Sequence, residues 1–211
     1  MAPRLPSDAV KAVIFSEDAL APVDRLWTDA VDHLARRLGR VKPLDLATIP
    51  ADRSEALAAL EAWADGDVNT WRAELARYYE EHIPVYVRPN PDLNAVLRHL
   101  QADGTLLASW SPGPPEVGVV VTHFLGLTRR LDRQRVDPAP NAAVSLIEEL
   151  ELQPEDALVV AATPASLVEA KHAGATTAGA LWTGGDRDQL LTAHPAYLVE
   201  QPAELVQLAL A

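Results

Sequence analysis

The chain contains no cysteine. Disulfides, thiolate metal sites and a cysteine nucleophile are therefore excluded, although a lack of thiols fixes no compartment. Basic residues are scarce as well, with 18 Lys and Arg against 30 Asp and Glu and a formal net charge of −12. Such a balance repels a nucleic-acid backbone and an anionic membrane surface, and no basic run offers a local exception. Neither is expected as a partner. The only lysines are Lys11, Lys42 and Lys171. Long apolar runs are missing too: none approaches the roughly eighteen residues of a membrane span, and Met1–Lys11 lacks the apolar centre of a signal peptide. A soluble cytoplasmic protein is the expectation. There is no internal repeat, low-complexity segment or long linker.

What is present is a globular composition. The 211 residues, 48% hydrophobic and 23% charged, can bury a full core in one domain or in a core with one inserted subdomain. Short apolar runs at Val13–Phe15, Leu106–Ser109, Leu158–Ala161 and Thr177–Leu181 read as strands buried on both faces of a parallel sheet. Weaker strand signals lie at Leu131–Val136 and Tyr197–Val199. Helical patterns occupy Leu93–Gln101, Pro115–Leu125, Ala142–Leu150 and Leu167–His172. The alternation predicts an α/β, doubly wound parallel-sheet core. Residues 23–85 break it with helical periodicity alone: Leu26, Trp27, Ala30, Val31 and Leu34, then Leu57, Leu60 and Trp63, then Trp71, Leu75 and Tyr78–Tyr79. Pro50, the Gly66 region and Pro89–Pro91 mark its turns and exit. The expected division is a core of 1–22 and 86–211 with an all-helical cap of 23–85, whose tryptophans Trp27, Trp63 and Trp71 fill its interior.

Five stretches carry the candidate chemistry. The first strand runs into Ser16-Glu17-Asp18-Ala19-Leu20. The second ends in Ser109-Trp110-Ser111-Pro112. Asp137-Pro138-Ala139-Pro140 follows, then Ala161-Ala162-Thr163-Pro164-Ala165-Ser166, and then Glu169-Ala170-Lys171-His172-Ala173-Gly174-Ala175. Together with the helical insertion, these resemble the motifs of cap-bearing phosphatases of the haloacid dehalogenase (HAD) superfamily. In that family the first strand ends in Phe-Asp-x-Asp-Gly-Thr, the second in a phosphoryl-binding Ser or Thr, a Lys-Pro-x-Pro supplies a cation, and Gly-Asp-Ser-x-x-Asp holds magnesium. The resemblance implies a Rossmann-like core and places Ser16 at the nucleophile, Asp18 at the acid, Ser109 at the phosphoryl contact, Asp137 at the lysine, and Ala162 and Ser166 at two metal carboxylates.

The framework is kept and the charges are not. A hard divalent cation needs anionic oxygen ligands, so Mg²⁺ binding is expected to be lost and no other cofactor is implied. A phosphoryl group would meet Asp18 and Asp137 where the family offers a metal and a lysine. At ~4 Å and an effective dielectric of about 20, one attraction turned into a repulsion amounts to several kcal/mol. Phosphoryl transfer depends mainly on positioning and electrostatics, so its principal terms are removed. The expectation is a catalytically inactive pseudophosphatase that acts as a binding or regulatory protein toward an unidentified protein or small molecule. The alternatives are a diverged HAD-type phosphoric monoester hydrolase with a rebuilt site, and a stability partner within a larger assembly.

Each candidate residue has a second reading. Ser16 is a hydroxyl nucleophile only if a base adjoins it, and spacing reveals no Ser–His pair. Asp18 is either an acid/base group or a turn cap. Ser109 either accepts an anion or satisfies strand-end backbone. Glu169 is a displaced metal ligand or a solvated carboxylate. Arg133 and Arg135 are a replacement cation or, with Arg129 and Arg130, a solvated patch. Trp110 either fills the substrate space beside Asp18 and Ser109 or points into the cap interface. The six histidines, His33, His82, His99, His123, His172 and His194, lack metal-ligand spacing and read as surface or half-buried residues.

Overall fold

The computed structural model describes residues 9–38, 45–50, 53–64, 68–136 and 141–210. Six strands form one sheet: β1 (Ala12–Ser16), β2 (Leu106–Trp110), β3 (Arg133–Arg135), β4 (Ala157–Ala161), β5 (Thr176–Ala180) and β6 (Tyr197–Val199). Their order is β3-β2-β1-β4-β5-β6, and every neighbouring pair is parallel. The sheet therefore winds outward in both directions from the strand nearest the N-terminus. Both weak strand signals are strands, and they form the two edges.

Burial on both faces explains the continuous apolar runs. Val13 and Phe15 of β1 point into one cluster with Leu107, Leu158 and Val160. Ala12 and Ile14 point the other way, into a cluster with Ala108, Ala157 and Val159. The second cluster is covered by α7 (Ala142–Glu149) and α8 (Pro164–His172), through Ala143, Leu146, Ile147 and Ala170. The first lies beneath α5 (Pro91–Ala102), α6 (Pro115–Phe124) and α10 (Glu204–Leu210).

Between β1 and α5 the described residues are helical: α1 (Glu17–Leu20), α2 (Asp24–Leu38), a 3-10 turn (Leu46–Thr48), α3 (Arg53–Ala64) and α4 (Val68–Tyr86). Leu26, Trp27, Leu34, Leu60, Trp71, Leu75 and Tyr79 of these helices belong to the same buried cluster as Phe15 and Leu107. The insertion thus shares its apolar interior with one face of the sheet. Trp63 is only half-buried, unlike Trp27 and Trp71.

Local chemistry sets the helix starts. Asn90 accepts from the backbone N–H groups of Asp92 and Leu93 at 2.9 and 3.2 Å, and Pro91 opens α5. Buried Leu93, Val96, Leu97 and Leu100 then make one stripe. Asp186 caps α9 (Arg187–Thr192) in the same way. Gly118 lets α6 approach the loop after β2, because a Cβ there would lie 2.9 Å from that of Ser111.

Helices α2 and α4 face each other through an antiparallel ladder of polar and aromatic groups. Arg37 and His33 reach Glu74 at 2.8 and 3.2 Å. Next, the His33 ring lies 4.8 Å from that of Tyr78, which stacks on His82 at 4.0 Å. At the far end Tyr86 donates to Asp29 at 2.5 Å. Burial opposes charge on Glu74, yet hydrogen bonds from His33 and Arg77 and the nearby Arg37 hold its carboxyl below the ordinary carboxylate range. A lowered folded value contributes stability above the unfolded pKa of about 4.3, and the contribution is lost as pH falls through the folded value. Glu74→Gln should therefore lower the urea midpoint at neutral pH and flatten its decline in acid. Parallel midpoint-against-pH curves for parent and variant would remove the ladder from the stability account.

Candidate functional site

Ligands of open α/β sheets bind beyond the carboxyl ends of the strands, where the strand order reverses. Here that place is the end of β1. Ser16 closes the strand and stands at the N-cap of α1, a single turn whose four residues are all buried. The turn aims Asp18 back at the end of β4. Its carboxylate receives the Ser16 hydroxyl in a short contact and the Ala162 N–H at 2.9 Å, both on Oδ1. Oδ2 takes the Thr163 hydroxyl at 2.9 Å and lies 3.3 Å from the Ser166 hydroxyl.

A carboxylate has about four lone-pair positions. All four of Asp18 are engaged, and the group is 4% exposed. Thr163 also accepts from the Ser166 N–H and so caps α8. Four of the sequence candidates, Ser16, Asp18, Ala162 and Ser166, are thus brought into one cluster, with Thr163 as a fifth member that sequence reasoning passed over.

The other candidates go elsewhere or nearby. Ser109 is buried at the end of β2, opposite Phe15 in register, one strand away from the Asp18 cluster. Trp110, expected in the cleft or the cap interface, does neither: it is 2% exposed and packs with Ala12, Ile14, Leu146 and Ile147 under α7. Its place in β2 turns the indole to the sheet face away from the insertion. Glu169 Oε1 accepts the Ala143 N–H at 3.0 Å in the first turn of α7. Arg135 pairs with Glu149, while Arg133 lies exposed on the edge strand. Asp137 lies outside the described residues.

Sequence reading also missed a buried ion pair at the same place. Glu17, between Ser16 and Asp18, faces the insertion, and its Oε1 accepts from Arg53 Nη1 at 2.6 Å. Their side chains are 3% and 7% exposed. Burial works against charge on Arg53, but Glu17 foremost, then Asp18, Tyr79 and Asp24, outweigh it and raise its pKa. Tyr79 is buried beside the pair, and burial pushes its phenol far up. Glu17 Oε2, Arg53 Nη2 and Tyr79 Oη are buried without a hydrogen-bond partner among the described residues. No local motif announces this pair, because its members are 36 residues apart.

The donor set does not fit a divalent metal. Mg²⁺ takes near-octahedral oxygen ligation through a carboxylate or two, whereas this cluster offers one carboxylate with its lone pairs committed, the neutral hydroxyls of Ser16, Thr163 and Ser166, and the methyl of Ala162. Among the described residues no three His, Asp or Glu side chains are grouped to hold a metal. The arrangement does suit a fixed, hydrogen-bonded anion that ties β1 to the start of α8. Asp18→Asn would set an amide N–H₂ against these donors, and leaving one or two unsatisfied costs about 1–3 kcal/mol each. A melting temperature within a degree or so of the parent would show that the network is not formed in solution.

No protein-family profile matches the chain. It is 30% identical over 139 residues to a phosphoglycolate phosphatase of Aquifex aeolicus, an alignment covering 63% of this chain and 64% of that one. It is also 30% identical over 77 residues to the pyrophosphatase PpaX of Anoxybacillus flavithermus, 36% of each chain. The chain therefore spans less than two thirds of either relative. Among solved structures, a hydrolase from Pseudomonas syringae superposes with a TM-score of 0.74 at 18% identity, covering 94% of this chain and 96% of that one. A haloacid dehalogenase-like family hydrolase from Streptococcus pneumoniae gives 0.69 at 16% identity, covering 94% and 97%. These structural likenesses speak for the fold. No described helix is long and apolar enough to cross a membrane. The chain's sheet order and helical insertion are those of the haloacid dehalogenase-like fold on which it superposes, and over 139 residues its sequence is similar to that of a phosphatase.

Proposed function

We propose that this chain is a haloacid dehalogenase-like protein of binding or regulatory function that does not carry out Mg²⁺-dependent hydrolysis of phosphomonoesters. The observation that carries the reading is the state of Asp18. It is held by four donors at the point where a phosphatase needs free anionic oxygens for metal and substrate. Ser16, Ala162 and Ser166 supply no further charge, and the buried Arg53 guanidinium nearby is already paired with Glu17. The bound species under this reading is a protein or small molecule, and nucleic acid is disfavoured by the net charge of −12.

A second reading, a diverged hydrolase with rebuilt chemistry, is favoured by the relatives, both named as phosphatases. One contact supports it as well: the Ser16 hydroxyl donates to Asp18, which is the relation of a nucleophile to its base. One assay separates the two. Purified protein is offered p-nitrophenyl phosphate, phosphoglycolate and pyrophosphate, with Mg²⁺ and with EDTA. We expect hydrolysis at background in every arm. Turnover that copurifies with the protein and disappears in Ser16→Ala or Asp18→Asn would establish the hydrolase reading instead.

A further inference from the structure

Helix α2 and the residues Ile49 and Pro50, which follow the 3-10 turn at Leu46–Thr48, border a groove of about 480 Å³. Its apolar lining is Trp27, Val31, Ile49 and Pro50, and its polar lining includes Asp29, Asp32 and Arg36. The volume falls within the roughly 300–1,000 Å³ of small-molecule sites, which combine an apolar wall with a few fixed polar groups. We infer that this groove binds a small organic cation, an ammonium carried on an aryl or alkyl body. The site shares no lining residue with the Asp18 cluster, so the inference goes beyond the proposed function and stands under either reading of it.

The polar side of the groove selects the charge. Thr28 also lines it, but its hydroxyl is spent on the Asp24 carbonyl at 3.0 Å. Asp29 and Asp32 lie three residues apart on α2, which places their Cβ atoms about 5–6 Å from each other on one helix surface. An ammonium with three donors spans that separation. Asp29 is held in place by the Tyr86 hydroxyl at 2.5 Å, and that same bond foremost pushes the Tyr86 phenol up to about 12, so it remains a neutral donor at ordinary pH. Asp32 is paired with Arg36. That arginine is 79% exposed, and exposed pairs are weak, so a ligand ammonium can replace its guanidinium. An anionic ligand would meet both carboxylates in a protein of net charge −12. A neutral one would gain no charge-assisted bond from them.

Three probes of one shape test the assignment: phenethylamine, phenethyl alcohol and phenylacetate, titrated by calorimetry and by ligand-observed NMR at physiological salt. The amine should bind at least about tenfold more tightly than the alcohol, the gain expected of a hydrogen bond to a charged group, and phenylacetate should not bind. Asp32→Asn and Asp29→Asn should each weaken the amine about tenfold, and Arg36→Ala should tighten it by removing the internal competitor. Asp32 is a partly exposed helix residue, so its variant keeps the test valid if Asp29→Asn disturbs Tyr86. Equal affinity for amine and alcohol would overturn the inference. So would failure of the amine to bind the parent protein, or full amine affinity in folded Asp32→Asn.

Discussion

Glu17→Ala is expected to destabilise the protein by about 3–5 kcal/mol, the cost of leaving a buried charge without its partner. The guanidinium of Arg53 is 7% exposed and already has one nitrogen, Nη2, without a hydrogen bond. Its remaining neighbours, Asp18 and Asp24, do not replace Glu17: Asp18 is committed to its own donors, and Asp24 lies 3.9 Å from Nη2 with a side chain 78% exposed. Replacing both members by apolar residues of similar size, Glu17→Leu with Arg53→Met, should recover most of the loss, because the desolvation of both ions then disappears. Urea unfolding of the parent, Glu17→Leu, Arg53→Met and the double variant in a double-mutant cycle measures the coupling. The exposed pair Lys11–Asp156 serves as the comparison and should yield less than about 1 kcal/mol. Should Glu17→Ala behave like that surface pair, the insertion is not docked on the β1 turn in solution as described.

The second large effect concerns the metal. The triple variant Ser16→Asp, Ala162→Asp, Ser166→Asp surrounds Asp18 with three further carboxylates and removes two of the three hydroxyl donors that now hold it, leaving that of Thr163. Without metal it should be less stable than the parent. With Mg²⁺ it should recover: at a free concentration one hundred times Kd, a ligand specific for the native state contributes about 2.7 kcal/mol, or several degrees in melting temperature for a chain of this size. The parent should show no saturable shift once monovalent salt is matched for ionic strength. Ser16→Asp alone should restore no phosphatase activity, because one carboxylate provides neither a complete metal site nor a cation. Adding Asp137→Lys to the triple variant tests whether that position completes the site. If the folded triple variant binds Mg²⁺ no better than the parent, the correspondence of Ser16, Ala162 and Ser166 with the metal-binding motifs is lost.

The sheet was largely readable because strands buried on both faces leave unbroken apolar runs. Val13–Phe15 and Leu158–Ala161 appear within a residue or so of β1 and β4, and even the weak signal at Tyr197–Val199 is β6. Short helices fared worse. The α1 turn, α9 and α10 have four, six and seven residues, too few for a helical period to stand out. In the candidate site, Ser16, Asp18, Ala162 and Ser166 were found through motif order. Trp110 was misplaced because alternation along a strand says that neighbours face opposite sides but not which side is the cleft. The Glu17–Arg53 pair was invisible for a different reason: it exists only once α3 docks on α1, and neither residue carries a local signature of burial.

Putting β1, the first of the described strands, at the centre of the sheet also orders events during synthesis. Phe15 lies in register with Ser109 on one side and Val160 on the other. As the chain leaves the ribosome, β1 emerges with apolar groups on both faces and must wait for β2, and then much longer for β4, before either edge is covered. Such distant pairings fold slowly and leave strand edges open to intermolecular contact in the meantime. The helices of the insertion emerge during that wait, and their apolar side chains join the cluster that covers Val13 and Phe15. They can therefore shelter one face of the nascent strand before its hydrogen-bonding partners exist.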